Sequence, residues 1–86
     1  MKRMIVRNRV KDFDHWKRVF DEQAEAGCAA GLELENLWQN AEDANEVFFI
    51  FTVADVDRAM AYVSDPASAE VGERAGVVDG ELWIVE

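Results

Sequence analysis

The sequence predicts an α+β domain whose elements run in the order βαββαβ. Three observations predict it. Apolar residues recur at every second position in four stretches and at a three-and-four spacing in the two stretches between them. The chain has 86 residues, half of them apolar, with a single proline, which makes residues 1–86 one domain and leaves no room for a second. One stretch, Val47 to Val53, is apolar on both parities and so needs cover on both sides.

The elements follow in turn. Met4 to Val10 reads as a first strand, with Met4, Val6, Asn8 and Val10 on one side and Ile5, Arg7 and Arg9 on the other. Asp12 stands as a helix N-cap, and Phe13, Trp16, Val19, Phe20, Gln23 and Ala26 or Gly27 fall on one helical face. Gly27 and Gly31 close that helix. Leu32 to Gln39 resumes the two-residue period of a strand, Asn40 to Asn45 reads as a turn, and Val47 to Val53 is the third strand. Asp55 caps a second helix whose Val56, Ala59, Met60 and Val63 point inward. Asp65-Pro66 interrupts it, Ala67 to Ala75 adds further turns, and Gly76 ends it. Glu81 to Val85 is the last strand.

This order is the ferredoxin-like arrangement, a four-stranded antiparallel sheet with both helices on one face. Two helices cover one face only, while the third strand offers Phe48, Ile50 and Thr52 to one side and Val47, Phe49, Phe51 and Val53 to the other. Leaving apolar side chains such as these in water forgoes about 1.5–3 kcal/mol each. A second copy laid sheet to sheet covers them symmetrically, so the expected partner is the chain itself, in a two-fold dimer with a barrel-like core.

Charge excludes several classes of function. Nine basic against eighteen acidic residues give a net charge of −9, which repels a nucleic-acid backbone. The first 18 residues carry seven basic and two acidic groups, a local +5, against −14 for the rest. That split implies either a local anion site or pairing between strands or chains. No apolar run reaches the roughly 18–20 residues that cross a bilayer. The single cysteine, Cys28, forms no internal disulfide, which fits a cytoplasmic protein, and its place after Gly27 reads as packing.

Candidate site residues are polar groups where the pattern asks for apolar ones. Asn8 is in register with Val6 and Val10, and Gln23 lies on the stripe of Trp16 and Phe20. Either these amides line a cavity walled by Trp16, Phe20 and Phe49 or Phe51, suited to the oxygen of a small hydrophobic or aromatic ligand, or they satisfy each other in a tight core. His15 is the one side chain with an ordinary pKa near neutrality and is a candidate proton carrier, off the apolar stripe and toward a rim. No metal-ligand spacing and no glycine-rich nucleotide loop occurs, so neither metal nor cofactor is expected. Glu33 and Glu35 are placed to pair with Arg7 and Arg9 or to face water, and Trp38 and Trp83 read as core or interface residues.

The βαββαβ order, the segment Val10-Lys11-Asp12-Phe13-Asp14-His15-Trp16-Lys17-Arg18-Val19-Phe20-Asp21-Glu22 and the stretch Asp65-Pro66 to Ala75-Gly76-Val77 together resemble the dimeric α/β-barrel superfamily. Within it the chain resembles the small proteins related to antibiotic-biosynthesis monooxygenases and polyketide cyclases. The resemblance implies a hydrophobic pocket between sheet and helices and oxidation or rearrangement of polycyclic phenols without metal or flavin. It marks Asn8, Trp16 and Gln23, with Tyr62 and Arg74 as further positions. Haem-degrading relatives carry an Asn on the first strand, which Asn8 matches, a Trp in the second crossover and a His beyond it, but residues 54–82 contain neither Trp nor His. The expected function is a cofactor-independent monooxygenase- or cyclase-like enzyme with Asn8 and His15 as catalytic groups and Asn8, Trp16, Phe20 and Gln23 holding the substrate. The alternative is a non-catalytic dimeric binding or interaction module.

Overall fold

Residues Met1–Glu86 are all described by a computed structural model. Its strands are β1 (Lys2–Val10), β2 (Leu32–Asn40), β3 (Asp43–Val53) and β4 (Val77–Val85). They form one antiparallel sheet in the order β2-β3-β1-β4, the ferredoxin-like topology expected from the sequence. The first crossover holds α1 (Phe13–Glu22) and α2 (Ala24–Ala29), and the second holds α3 (Val56–Ser64) and α4 (Pro66–Ala75). No helix is long and apolar enough to cross a membrane.

Local chemistry sets the helix ends. The carboxylates of Asp12, Asp55 and Asp65 accept hydrogen bonds from the backbone N–H groups of His15, Arg58 and Ala67, each satisfying a donor the helix itself leaves free. Pro66, which has no N–H to lose, opens α4. Gly76 ends it at φ 82°, where a Cβ would be strained.

The boundaries differ from the sequence reading in three places, each for a local reason. The first helix breaks at Gln23, whose φ of −91° and ψ of 0° and bond from N–H to the Phe20 carbonyl mark a tightened turn, and α2 sets off afresh. The turn after β2 shrinks to Ala41 and Glu42, because the Asn40 side chain accepts from the Glu42 N–H at 2.8 Å and β3 starts early, at Asp43. Strand β4 begins at Val77, four residues before Glu81, and carries Gly80 through the sheet opposite Asn8.

The core lies between sheet and helices. Met4, Val6 and Val10 of β1, Val47, Phe49 and Val53 of β3, and Trp16 and Val19 of α1 are buried there, and Val6 stands directly opposite Phe49. A register shift in β2 between Leu34 and Asn36 turns Leu37 inward against Phe49 and Trp38 outward against Phe48. On the outer face no helix covers Ile5, Phe48 and Ile50, and Trp38 and Trp83 are 49% and 46% exposed.

Most of the basic opening segment is answered within the chain. On the outer face Arg7 bonds Asp79 at 2.7 Å, Glu81 at 3.1 Å and Glu46 at 3.2 Å, and Arg9 bonds Asp43 at 2.7 Å. Glu35 turns to Arg3, at 3.0 Å, and to the Thr52 hydroxyl, at 2.8 Å, and so does not meet Arg7 or Arg9, because the β2 irregularity displaces it. Glu33 makes no ion pair with them either.

These partners hold three carboxyls below their usual range. The Thr52 hydroxyl and Arg3 act on Glu35, Arg9 and the Asn45 N–H on Asp43, and the Asn40 amide, Arg9 and Arg7 on Glu46. A carboxyl whose folded pKa is depressed binds a proton more readily once unfolded. Its contribution is present above its ordinary pKa and is lost as the pH falls through about 4 toward the folded value. The melting temperature should hold steady between about pH 6 and 8 and fall below about pH 4. A Glu35→Gln, Glu46→Gln variant should show a shallower acid limb, and an unchanged limb in differential scanning calorimetry would count against the network.

Candidate functional site

A cavity of about 310 Å³ lies between the sheet and the helices. It is lined by Asn8 of β1, Trp16 and Phe20 of α1 and Gln23 at the α1–α2 break, so the four residues expected to hold a ligand do share one space. Asn8 reaches it because it keeps the parity of Met4 and Val6, which are buried on that face. Gln23 reaches it because it follows Trp16 and Phe20 along the apolar stripe up to the break.

Aromatic rings wall the cavity. Trp16 and Phe20 stack at 4.8 Å with their planes 25° apart, Trp16 sits 5.6 Å from Phe49, and Phe20 lies 5.2 Å from Phe49 and 6.3 Å from Phe51. The remaining lining includes Tyr62 and Ser68 from the second crossover and Leu82 from β4. No lining residue carries a charge.

The hydrogen bonding of the polar lining bears on the two sequence readings of Asn8 and Gln23. The amides do not satisfy each other, and neither bonds any other protein group. The Tyr62 hydroxyl also has no protein partner, whereas the Ser68 hydroxyl donates to the Tyr62 carbonyl at 2.6 Å. Burial raises the Tyr62 pKa above its ordinary value, so at neutral pH it is a protonated donor and not a phenolate. Three neutral polar side chains, half-buried and with solvent access, thus line an otherwise apolar wall with no protein partner for their hydrogen bonds.

The other candidates lie elsewhere. His15 is exposed, outside the lining, and its Nε2 is bonded to the Arg74 carbonyl at 2.8 Å, fastening α1 to the last turn of α4. Arg74 is also outside and reaches toward Glu22 at 3.9 Å. Cys28 is exposed and so does not pack as its position suggested. Residue patterning alone sets Tyr62 beside the Val56–Val63 stripe; its signal is a lone phenol one position from an inward valine, next to the Asp65-Pro66 break.

Fold and cavity together define a ferredoxin-like protein with a pocket between sheet and helices. Solved structures bear out the fold. A provisionally named antibiotic biosynthesis monooxygenase from Nitrosomonas europaea matches with a TM-score of 0.73 at 15% identity, over 100% of this chain and 97% of its own. SnoaB, a cofactor-independent oxygenase from Streptomyces nogalater, solved as a point mutant, matches with a TM-score of 0.75 at 17% identity, over 99% and 90%. A provisionally named antibiotic biosynthesis monooxygenase from Bordetella bronchiseptica gives 0.80 at 11% identity, over 99% and 94%. No protein-family profile matches the chain, and no curated protein matches its sequence. The chain therefore has the fold of the antibiotic biosynthesis monooxygenase-like proteins, as its sequence resemblance implied.

Proposed function

We propose that this protein binds a small, flat phenol in the cavity between sheet and helices and oxidises it as a cofactor-independent monooxygenase. The observation that carries this reading is the set of Asn8, Gln23 and Tyr62, unpartnered and uncharged, around an aromatic-walled space. The likeness of fold to SnoaB supports it. Amide and phenol N–H and O–H groups held beside the bound oxygen stabilise an oxyanion as it develops, which makes a bound phenol or its keto tautomer easier to ionise. The ionised ring then gives electrons to dioxygen. In balance, a ring CH₂ and O₂ become C=O and H₂O. The lining holds no carboxylate, imidazole or amine, so the proton leaves to solvent and not to His15, and Asn8 acts by holding the oxygen.

Oxygen uptake with a panel of anthrones and hydroquinones tests the reading. Uptake above the uncatalysed rate is expected, rising with pH as the phenol ionises, and Asn8→Leu should lower it about 10²-fold. Neither binding nor uptake would sink it. Binding without uptake would leave a non-catalytic ligand-binding module.

We also propose that two copies pair through the outer sheet face, because Ile5, Phe48 and Ile50 lack a covering helix there and the two tryptophans are half exposed. Sedimentation equilibrium should give about twice the 9.7 kDa chain mass. Trp83→Glu should shift the equilibrium to a monomer by placing a charge in that face. A native monomer at micromolar concentration would refute the pairing. The lone Cys28 keeps a reducing cytoplasm as the proposed location.

A further inference from the structure

We infer that the cavity is a two-ended slot: it takes an uncharged, flat aromatic molecule that carries an oxygen at each end of its long axis, Asn8 holding one and Gln23 the other. This rests on the proposed ligand site and specifies its substrate class.

The strand register sets the ends. Asn8 stands opposite Val47, Val6 opposite Phe49, and Met4 opposite Phe51. Helix α1 runs alongside β3 in the same sense, since the N–H of Phe13 at its start bonds the Asn45 side chain at 3.1 Å while Phe20 near its end reaches Phe51. Trp16 lies over Phe49, Phe20 spans Phe49 and Phe51, and Gln23 comes a helical turn beyond Phe20. The backbone positions that carry the two unpartnered amides therefore lie toward opposite ends of the stacked wall, about four residues of strand apart, or about 13 Å along the strand axis. The distance suits an aromatic with oxygens on opposite edges, once a hydrogen bond is added at each end.

Charge narrows the class further. A carboxylate or phosphate on the buried part of the ligand would meet no cationic side chain in the lining and would lose its hydration. The slot therefore excludes such groups, whereas neutral hydroxyl or keto oxygens find a donor or acceptor in either amide.

Calorimetric titration with 2,6-dihydroxynaphthalene, 2-naphthol and 6-hydroxy-2-naphthoate tests this on the native protein. The diol should bind about 10-fold more tightly than 2-naphthol, one further hydrogen bond being worth roughly that factor, and the carboxylate more than about 10-fold more weakly than the diol. Asn8→Leu and Gln23→Leu should each remove the advantage of the diol. 2-Naphthol, which can turn to the remaining amide, should lose much less affinity than the diol on either variant. A diol no tighter than 2-naphthol on the native protein overturns the inference without any variant having to fold. So does loss of diol binding on Asn8→Leu alone, though a one-ended phenol site would then still stand. Failure of all three probes to bind would remove the ligand site itself, and the inference with it.

Discussion

Trp16→Ala is expected to be the most destabilising single change in the molecule, at about 3–5 kcal/mol. The indole is 2% exposed and meets Phe13, Phe20 and Phe49 with ring centres 4.8 to 5.9 Å apart. Truncation removes its transfer free energy and enlarges a cavity that already exists, so the neighbours have little scope to collapse onto the gap. A domain of this length holds roughly 4–13 kcal/mol in all, so the variant should lose about a quarter or more of its stability and at the low end should not fold. Trp16→Phe retains a ring over Phe49 and should cost less than half as much. Urea unfolding followed by far-ultraviolet circular dichroism measures both. Equal midpoints for Trp16→Ala and the native protein would mean that the wall is not part of the core.

The same residue shows how fold and site are joined. Only 13 of the 86 residues are buried, and Trp16 belongs both to that small core and to the cavity wall. The domain cannot fill the cavity with larger side chains and keep the space, so the room for a ligand comes directly out of its stability. The proposed pairing of two copies through the outer face would offset that deficit without touching the cavity.

Much of this is legible in the sequence because parity and helical spacing are local. Asn8 reads as inward from Val6 and Val10, Gln23 from Trp16 and Phe20, and His15 as off the stripe, and the structure agrees on all three placements. What stays hidden depends on contacts distant in sequence or on breaks in period. The irregularity at Glu35 reverses the faces of Leu37 and Trp38, and no alternation rule foresees it. Tyr62 enters the cavity from the last turn of α3, just before the chain turns at Asp65-Pro66 into α4. Strand β4 reads four residues short because Asp79-Gly80 has the composition of a turn.

Gly80 gives that part of β4 its turn-like composition, and replacing it should have a large effect. Its φ is not in the left-handed region, so backbone freedom does not require a glycine there. Space does. A Cβ at position 80 would run into Oδ1 of Asn8 and lie 2.9 Å from the Arg7 carbonyl oxygen. The first obstacle is a side chain and can move, but the second is backbone inside a strand and cannot move cheaply. Gly80→Ala should therefore lose about 1–3 kcal/mol and, by pushing the Asn8 amide aside, weaken 2,6-dihydroxynaphthalene binding about as much as Asn8→Leu does. Adding Asn8→Ala should recover only part of the stability, because the Arg7 carbonyl still blocks the methyl group. Gly72 provides the opposite case: it lies within α4 with nothing within 4 Å of a Cβ, and Gly72→Ala should raise stability by about 0.5–1 kcal/mol. Denaturation of the two alanine variants side by side decides the matter, since any general cost of replacing glycine would give both the same sign. Opposite signs, with ligand affinity falling in Gly80→Ala, would show that the glycine in β4 keeps the Asn8 amide in the cavity.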